Sequence, residues 1–321
     1  MNDTALPDNT IPPPIAHTAA AMDEAISARA RSGDSAGVPM SAATHVCDRS
    51  IWYVFRWCAP PETASGPRER RFRTGLQYER WLLDDLRLTG AEVQEIDDAT
   101  GKQVAVQLAD GHLRGKVDGV ATGIVEAPKT AHVVECKSMK AADWRGVVKH
   151  GVQKHKPDHW VQMQLYMQGL GLTRALYICA NKDTDEIHTE RVEFDAVASL
   201  GMEARVLRIV GSPLPPAKAS DDPTSFTCRF CRANEICHSG AWARFNCRTC
   251  LHSEPVPAAA WRCLKHERGL SYADMQAGCG DHRFIPDLVP GEQVDVRDGE
   301  LIVYRLRTGA EWVDGAREAA E

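Results

Sequence analysis

The chain has 321 residues, 43% of them hydrophobic, and a formal net charge of −6. That is enough apolar material for a large core, and the acidic balance argues against a surface coated on all sides by nucleic acid. No run of about 18 apolar residues occurs, so no membrane span is expected. The opening MNDTALPDNTIPPP also lacks the basic-then-apolar order of a secretory signal.

Residues 1–40 are rich in Pro, Ala, Ser, Thr and Asp and read as a flexible tail. SAATHVCDRSIWYVFRWC, at 41–58, is aromatic and predicts a short packed helix. The spacing of apolar residues over 72–89 predicts an amphipathic helix ended by Gly90. Strand patterns follow in AEVQEID, QVAVQLAD, HLRGKVDGVATGIV and AHVVECK, separated by turn chemistry at Asp98–Gly101, Asp110–Gly111 and Glu126–Thr130. Two helices are expected near 141–153 and 158–170, then strands in ALYICAN and EIHTERVEF, then a helix near 195–210. This order predicts an α/β domain with a mixed central sheet flanked by helices. SPLPPAKASDDPTS, at 212–225, reads as a linker, and cysteine-rich sequence continues to about 282.

Three residues have the chemistry of phosphodiester hydrolysis. Bound Mg²⁺ or Mn²⁺ requires carboxylate oxygens, and these ions activate water and neutralise phosphate charge. Asp118, in GKVDGV, is expected near the middle of one strand, and Glu135 and Lys137, in VVECKS, at the end of the next. EAPKT supplies the turn between them, so the carboxylates come close on neighbouring strands. Side chains alternate along a strand, so Glu135 and Lys137 share a face while Cys136 points away. Glu135 then binds metal, and Lys137 orients the attacking water or stabilises the charged transition state. Lys140, Arg145, Lys149, Lys154 and Lys156 follow, with Asp143 the single acid among them. They form either a track for the DNA backbone or a solvated helix face.

The order Gly115–Asp118, Glu135–Lys137 and Gln162–Tyr166 resembles the G-x-x-D, E-x-K and Q-x-x-x-Y motifs of RecB-like and YqaJ-like PD-(D/E)XK nucleases. The run from Lys156 to Asp195 looks like bacteriophage recombination exonucleases. The resemblance covers roughly residues 41–240. It implies a restriction-endonuclease-like fold and an Mg²⁺-dependent deoxyribonuclease acting in end resection during recombination or repair. Its catalytic set would be Glu79, Asp118, Glu135, Lys137, Gln162 and Tyr166, with Asp118 and Glu135 as metal ligands. Gln164 is an alternative to Gln162, and His112 and His159 are either site-lining or surface residues. DNA is the implied partner, with a single-strand annealing recombinase or a second copy of the chain as further candidates. The rivals are a structure-specific or single-strand endonuclease and a catalytically idle DNA-binding scaffold.

Without a secretory signal the chain is expected in a reducing cytoplasm, where its eleven cysteines are read as metal or cluster ligands rather than disulfides. Cys228, Cys231 and Cys237 form C-x2-C-x5-C and lack a fourth ligand. Iron–sulfur relatives, among them CRISPR adaptation nucleases and AddB-type helicase–nucleases, carry one cysteine before the core and three after it. That layout implies a [4Fe–4S] cluster on Cys47, Cys228, Cys231 and Cys237. A structural zinc is the rival, with His238 or Cys47 as fourth ligand. Cys247, Cys250, Cys263 and Cys279 suit a zinc module over 241–290, with His252, His266 and His282 as possible substitutes, and 291–321 is a C-terminal segment. Cys58, Cys136 and Cys179 lie among apolar residues and read as packed thiols.

Overall fold

In the computed structural model, residues 17–30, 33–299 and 301–315 are described. Among the described residues the first elements are α1 (His17–Arg29), the two-residue β1 (Val38–Pro39), α2 (Asp48–Phe55) and α3 (Gly66–Leu88). Short strands β2 (Glu92–Gln94), β3 (Ile96–Asp97), β4 (Lys102–Gln103), β5 (Ala105–Leu108), β6 (Leu113–Lys116) and β7 (Gly119–Thr122) lead to β8 (His132–Met139). Then come α4 (Ala141–His150), α5 (Val152–His155), α6 (Pro157–Leu170), β9 (Arg174–Asn181), β10 (Ile187–Glu193) and α7 (Ala196–Gly211). The C-terminal third holds β11 (Ser253–Val256), β12 (Ala260–Cys263), β13 (Arg268–Gly269), α8 (Tyr272–Ala277), β14 (Gly291–Arg297), β15 (Leu301–Leu306) and β16 (Glu311–Asp314). No helix among the described residues is long and apolar enough to cross a membrane.

The expected tail over 1–40 lies partly outside the described residues. Within them, α1 lies beside α3 without burying a residue, and Val38 and Pro39 pair in parallel with Leu113 and Arg114 of β6. The long strand expected over 112–125 is two strands. The break falls at Val117–Asp118, so Asp118 sits between β6 and β7 rather than in mid-strand.

The central sheet has the order β10-β9-β8-β7-β2, with β8 and β9 parallel and every other pair antiparallel. The parallel pair is joined by α4, α5 and α6, because parallel neighbours need a crossover. Side-chain parity on β8 and β9 divides the interior into two cores. Val133, Ala175, Tyr177 and Cys179 pack with Val147, Met163 and Val206 of the helices on one face. Val134, Cys136, Leu176, Ile178 and Ala180 pack with Leu82 and Leu83 of α3 on the other. The glycines at helix ends have a physical reason: Gly151 (φ 77°) and Gly171 (φ 66°) hold positive φ after α4 and α6.

The cysteine-rich third shares the first core. Trp261, Met275, Phe284, Leu288 and Tyr304 pack in the same cluster as Trp52, Phe55 and Trp57. Two buried arginines fasten the junction. Arg248 donates to the carbonyls of Phe55 (2.8 Å) and Ala36 (3.2 Å), and its guanidinium lies 3.8 Å from the Trp57 ring centre. Arg56 donates to the Arg248 and Ser212 carbonyls at 3.1 and 3.3 Å.

Candidate active site

Asp118 occupies the break between β6 and β7, and its Oδ2 accepts a hydrogen bond from the Cys136 amide at 2.7 Å. That bond fixes the carboxylate against the stretch of β8 between Glu135 and Lys137. Gly119 faces Val134 across the antiparallel pair, which sets this register. Glu135 is fully buried, and its Oε1 is ion-paired with the Lys137 ammonium. Its Oε2 has no hydrogen-bond partner. A buried carboxylate oxygen without a partner is costly, and a cation is one group that satisfies it.

Electrostatics gives the same picture. Burial raises the Glu135 carboxyl to about 7; Lys137 works against that rise, and Asp118 and Glu79 reinforce it. Glu79, half-buried on α3, is raised to about 7 by burial and then by Asp118, with Lys137 opposing. Burial raises Asp118 as well. Burial works to lower the Lys137 ammonium, but Glu135 and Asp118 outweigh it and hold the group above its ordinary range. Three carboxylates that repel one another around a single ammonium make a donor set that fits a divalent cation.

From α6, Gln162 Nε2 donates to Tyr166 Oη at 2.9 Å, and Glu135 raises the buried Tyr166 phenol further after burial itself. The two residues four apart thus share one helix face beside Glu135. Gly115 has a steric role here. A Cβ at that position would meet Tyr166 Cε1 at 2.5 Å and Oη at 2.9 Å. The first motif glycine therefore leaves the space that the last motif tyrosine fills together with Met40, whose Sδ would lie 2.9 Å from that Cβ. Gln164 is excluded as the alternative, because it is buried and bonds the Glu193 carbonyl (3.0 Å) and the Asp195 amide (2.7 Å) at the start of α7.

Of the two histidines, His112 is neither surface nor site. It is buried, lies 2.9 Å from the Val256 carbonyl, and stacks edge-on against Phe55. His159 is near the site: its Nδ1 lies 2.8 Å from Tyr177 Oη, and burial followed by the charge of Lys137 lowers its imidazole to about 4. Lys140 at the N-terminus of α4, Arg145 and Lys149 on it, and Lys154 on α5 are exposed. Lys156 differs, since it pairs with Asp143 at 2.7 Å. Cys136 and Cys179 are packed in the two cores and Cys58 is fully buried, as packed thiols should be.

An open groove runs past Glu79, Asp118 and Lys137, and its walls include Arg71, Phe72 and Lys182. The sequence reading missed Arg71 and Lys182. Lys182 follows β9, and its amide bonds the Met139 carbonyl at 2.9 Å. The in-register parallel pairing of β8 with β9 therefore brings it to the sheet's carboxyl edge, the usual place for a ligand in such sheets.

Cys47, Cys228, Cys231 and Cys237 line one cavity, with His238 and Lys218. Cys247, Cys250, Cys263 and Cys279 line another, together with His252, His266, Asp281 and His282.

No family model matches the chain, and no curated protein matches it. Among solved structures it is similar to LHK-Exo in complex with dAMP, at 18% identity and TM-score 0.41 over 58% of this chain and 89% of that one. It is also similar to the alkaline exonuclease LHK-Exo from Laribacter hongkongensis, at 18% identity and TM-score 0.39 over 58% and 90%. A third likeness is to SSO0001, at 12% identity and TM-score 0.37 over 68% and 96%.

Proposed function

We propose that the chain is a divalent-metal-dependent DNA nuclease that hydrolyses phosphodiester bonds, with Asp118, Glu135 and Lys137 at its centre. The observation that carries this reading is the buried Glu135, paired through Oε1 to Lys137 and orphaned at Oε2, beside an Asp118 carboxylate tied to the intervening Cys136 amide. Asp118 and Glu135 would hold Mg²⁺ or Mn²⁺, with Glu79 adding negative charge nearby. When bound, the ion supplies activation of water and neutralisation of phosphate charge. Lys137 stays protonated, because Glu135 and Asp118 hold it so. It orients the attacking water and meets the charge that develops on the phosphate. Tyr166 and Gln162 close the α6 side, and Arg71 and Lys182 sit in the groove wall to take neighbouring phosphates. In this reading Lys140, Arg145, Lys149 and Lys154 extend the phosphate track, and the biological role is exonucleolytic end resection.

Cys47, Cys228, Cys231 and Cys237 would bind a [4Fe–4S] cluster that ties the segment before α2 to the segment after α7. Four thiols around one cavity are the donor set such a cluster takes. His238 in the same cavity favours the zinc alternative, which iron analysis decides.

Purified protein incubated with end-labelled linear duplex and with closed circular duplex, with and without Mg²⁺, tests the activity. An exonuclease shortens the linear DNA only with Mg²⁺ and leaves the circle closed. Cutting of the circle would move the reading to an endonuclease, and no cutting of either would refute it.

A further inference from the structure

Phe226 and Phe230 are 80% and 79% exposed, the most exposed aromatic side chains among the described residues. Two whole aromatic rings left in water a few residues apart mark a contact surface more often than an accident of sequence. The Arg229 guanidinium packs on both rings, 5.1 Å from the centre of Phe226 and 4.8 Å from that of Phe230. No ion pair or side-chain hydrogen bond holds Arg229 among the described residues, so its charge and its N–H donors are free for a ligand. The segment that carries the three side chains is ordered. The amides of Cys228 and Arg229 donate to the Ser225 carbonyl at 3.0 and 2.9 Å, and the Cys231 amide donates to the Cys228 carbonyl at 2.9 Å. Asn234 Nδ2 donates to the carbonyls of Pro223 and Cys228 at 2.9 and 2.8 Å. The rings are therefore presented on a fixed turn, which lowers the ordering cost of binding. Asp222, the acid before this segment, is turned onto Thr224, whose amide and hydroxyl donate to its Oδ1 at 2.8 and 2.7 Å.

We propose that Phe226, Arg229 and Phe230 form a binding site for single-stranded DNA, with unpaired bases stacking on the two rings and Arg229 taking a backbone phosphate. The match is chemical. Every base has a flat π-face that stacks on an aromatic ring, and a guanidinium without a partner complements the phosphate charge of the same strand. A duplex hides those faces within its own stack, so unpaired bases are the ligand that fits. None of the three residues lines the groove of Glu79, Asp118 and Lys137, so this is a second contact with the strand, away from the cleavage centre. The choice of DNA as the strand rests on the nuclease reading.

Anisotropy of labelled oligo(dT) and of a blunt duplex with the full chain, without Mg²⁺ so that neither is cut, tests this. Phe226→Ala and Phe230→Ala should each weaken oligo(dT) binding at least about fivefold and leave duplex binding at the parent value. Phe226→Tyr and Phe230→Tyr should keep the parent affinity, which separates a lost stacking face from a failure to fold. Arg229→Ala should lower the salt slope of oligo(dT) binding by about 0.7, one phosphate contact on a single strand, and the alanine variants of the two phenylalanines should leave that slope unchanged. In Phe230→Trp, oligo(dT) should quench the new indole. The proposal is overturned if the parent does not bind oligo(dT), if the phenylalanine-to-alanine variants bind it like the parent, or if they lose the duplex equally. It is also overturned if those variants convert a self-associated parent to monomers in sedimentation, since the patch would then be a contact between copies. A chain that cuts linear duplex but binds oligo(dT) equally well in all variants loses this proposal and keeps the nuclease reading. A chain that cuts nothing but needs both rings for oligo(dT) does the reverse.

Discussion

Gly115 and Tyr166 show what a single residue carries in this site. The Cβ that alanine adds at position 115 would overlap the tyrosine ring, so Gly115→Ala should cost about 1–3 kcal/mol of stability, the usual range for overpacking. Tyr166→Ala removes the nearer obstacle and leaves Met40 Sδ at 2.9 Å, so in the double variant the Gly115→Ala cost should fall without vanishing. Urea midpoints of the four proteins give the coupling, and strict additivity would mean the two residues do not touch. The motif spacing made both residues legible in sequence, because residues four apart share a helix face and residues two apart share a strand face. The position of Asp118 was less legible. An aspartate in the run Val117 to Val120 looks like mid-strand, whereas it sits at the break between β6 and β7 with its carboxylate accepting from the Cys136 amide. Gln164 shows the converse: sequence left it as an alternative, and its bonds to Glu193 and Asp195 give it a structural task.

At the scale of elements, the helices expected near 158–170 and 195–210 were found within a residue of their ends, whereas α3 starts at Gly66, six residues before the expected 72, and the helix expected over 141–153 is split into α4 and α5 at Gly151. The C-terminal sheet of β14, β15 and β16 was not read from sequence, although Val294 and Val296 alternate with polar residues; the β14 side chains are almost all exposed, so the pattern marks no buried face. Its last strand carries a pH-sensitive contact. Asp314 Oδ2 accepts from the Phe284 amide at 2.6 Å, and burial raises its carboxyl to about 6 despite that bond and the charge of Arg283. A raised carboxyl favours the folded state while protonated. Its contribution is therefore full below the ordinary aspartate value and is lost as pH rises through about 6. Asp314→Asn keeps the acceptor and removes the titration. Its urea midpoint relative to the parent should rise between pH 4.5 and 7.5, and a gap unchanged with pH would contradict this. On α4 and α5, Lys149→Ala with Lys154→Ala should lower the salt slope of duplex binding by roughly 0.9 per lost phosphate contact. Lys156→Ala should change that slope little, since Lys156 is held by Asp143.

Across the whole molecule, the region of α2 is fastened to the cysteine-rich third. Arg248 and Arg56 reach from the cysteine-rich third and from α2 into a shared aromatic core, and sequence gave no sign of it because buried arginines read as surface charge. Arg248→Lys cannot reproduce the planar fork that reaches Phe55 and Ala36, so it should destabilise the protein nearly as much as Arg248→Ala, by about 3 kcal/mol for either. Equal thermal midpoints for the lysine variant and the parent would contradict this. The proposed cluster would fasten Cys47 in the same sense: anaerobically purified protein should carry about four irons per chain, and Cys47→Ser should lose them. The proposed nuclease centre lies between α3, β8 and α6, and one measurement bears on it most directly. Single-turnover cleavage of linear duplex with Mg²⁺ should proceed with the parent, fall to background with Asp118→Ala and Glu135→Ala, and fall at least about a hundredfold with Lys137→Ala, while all three variants still bind the DNA. Cleavage by Asp118→Ala or Glu135→Ala at the parent rate would contradict the assignment.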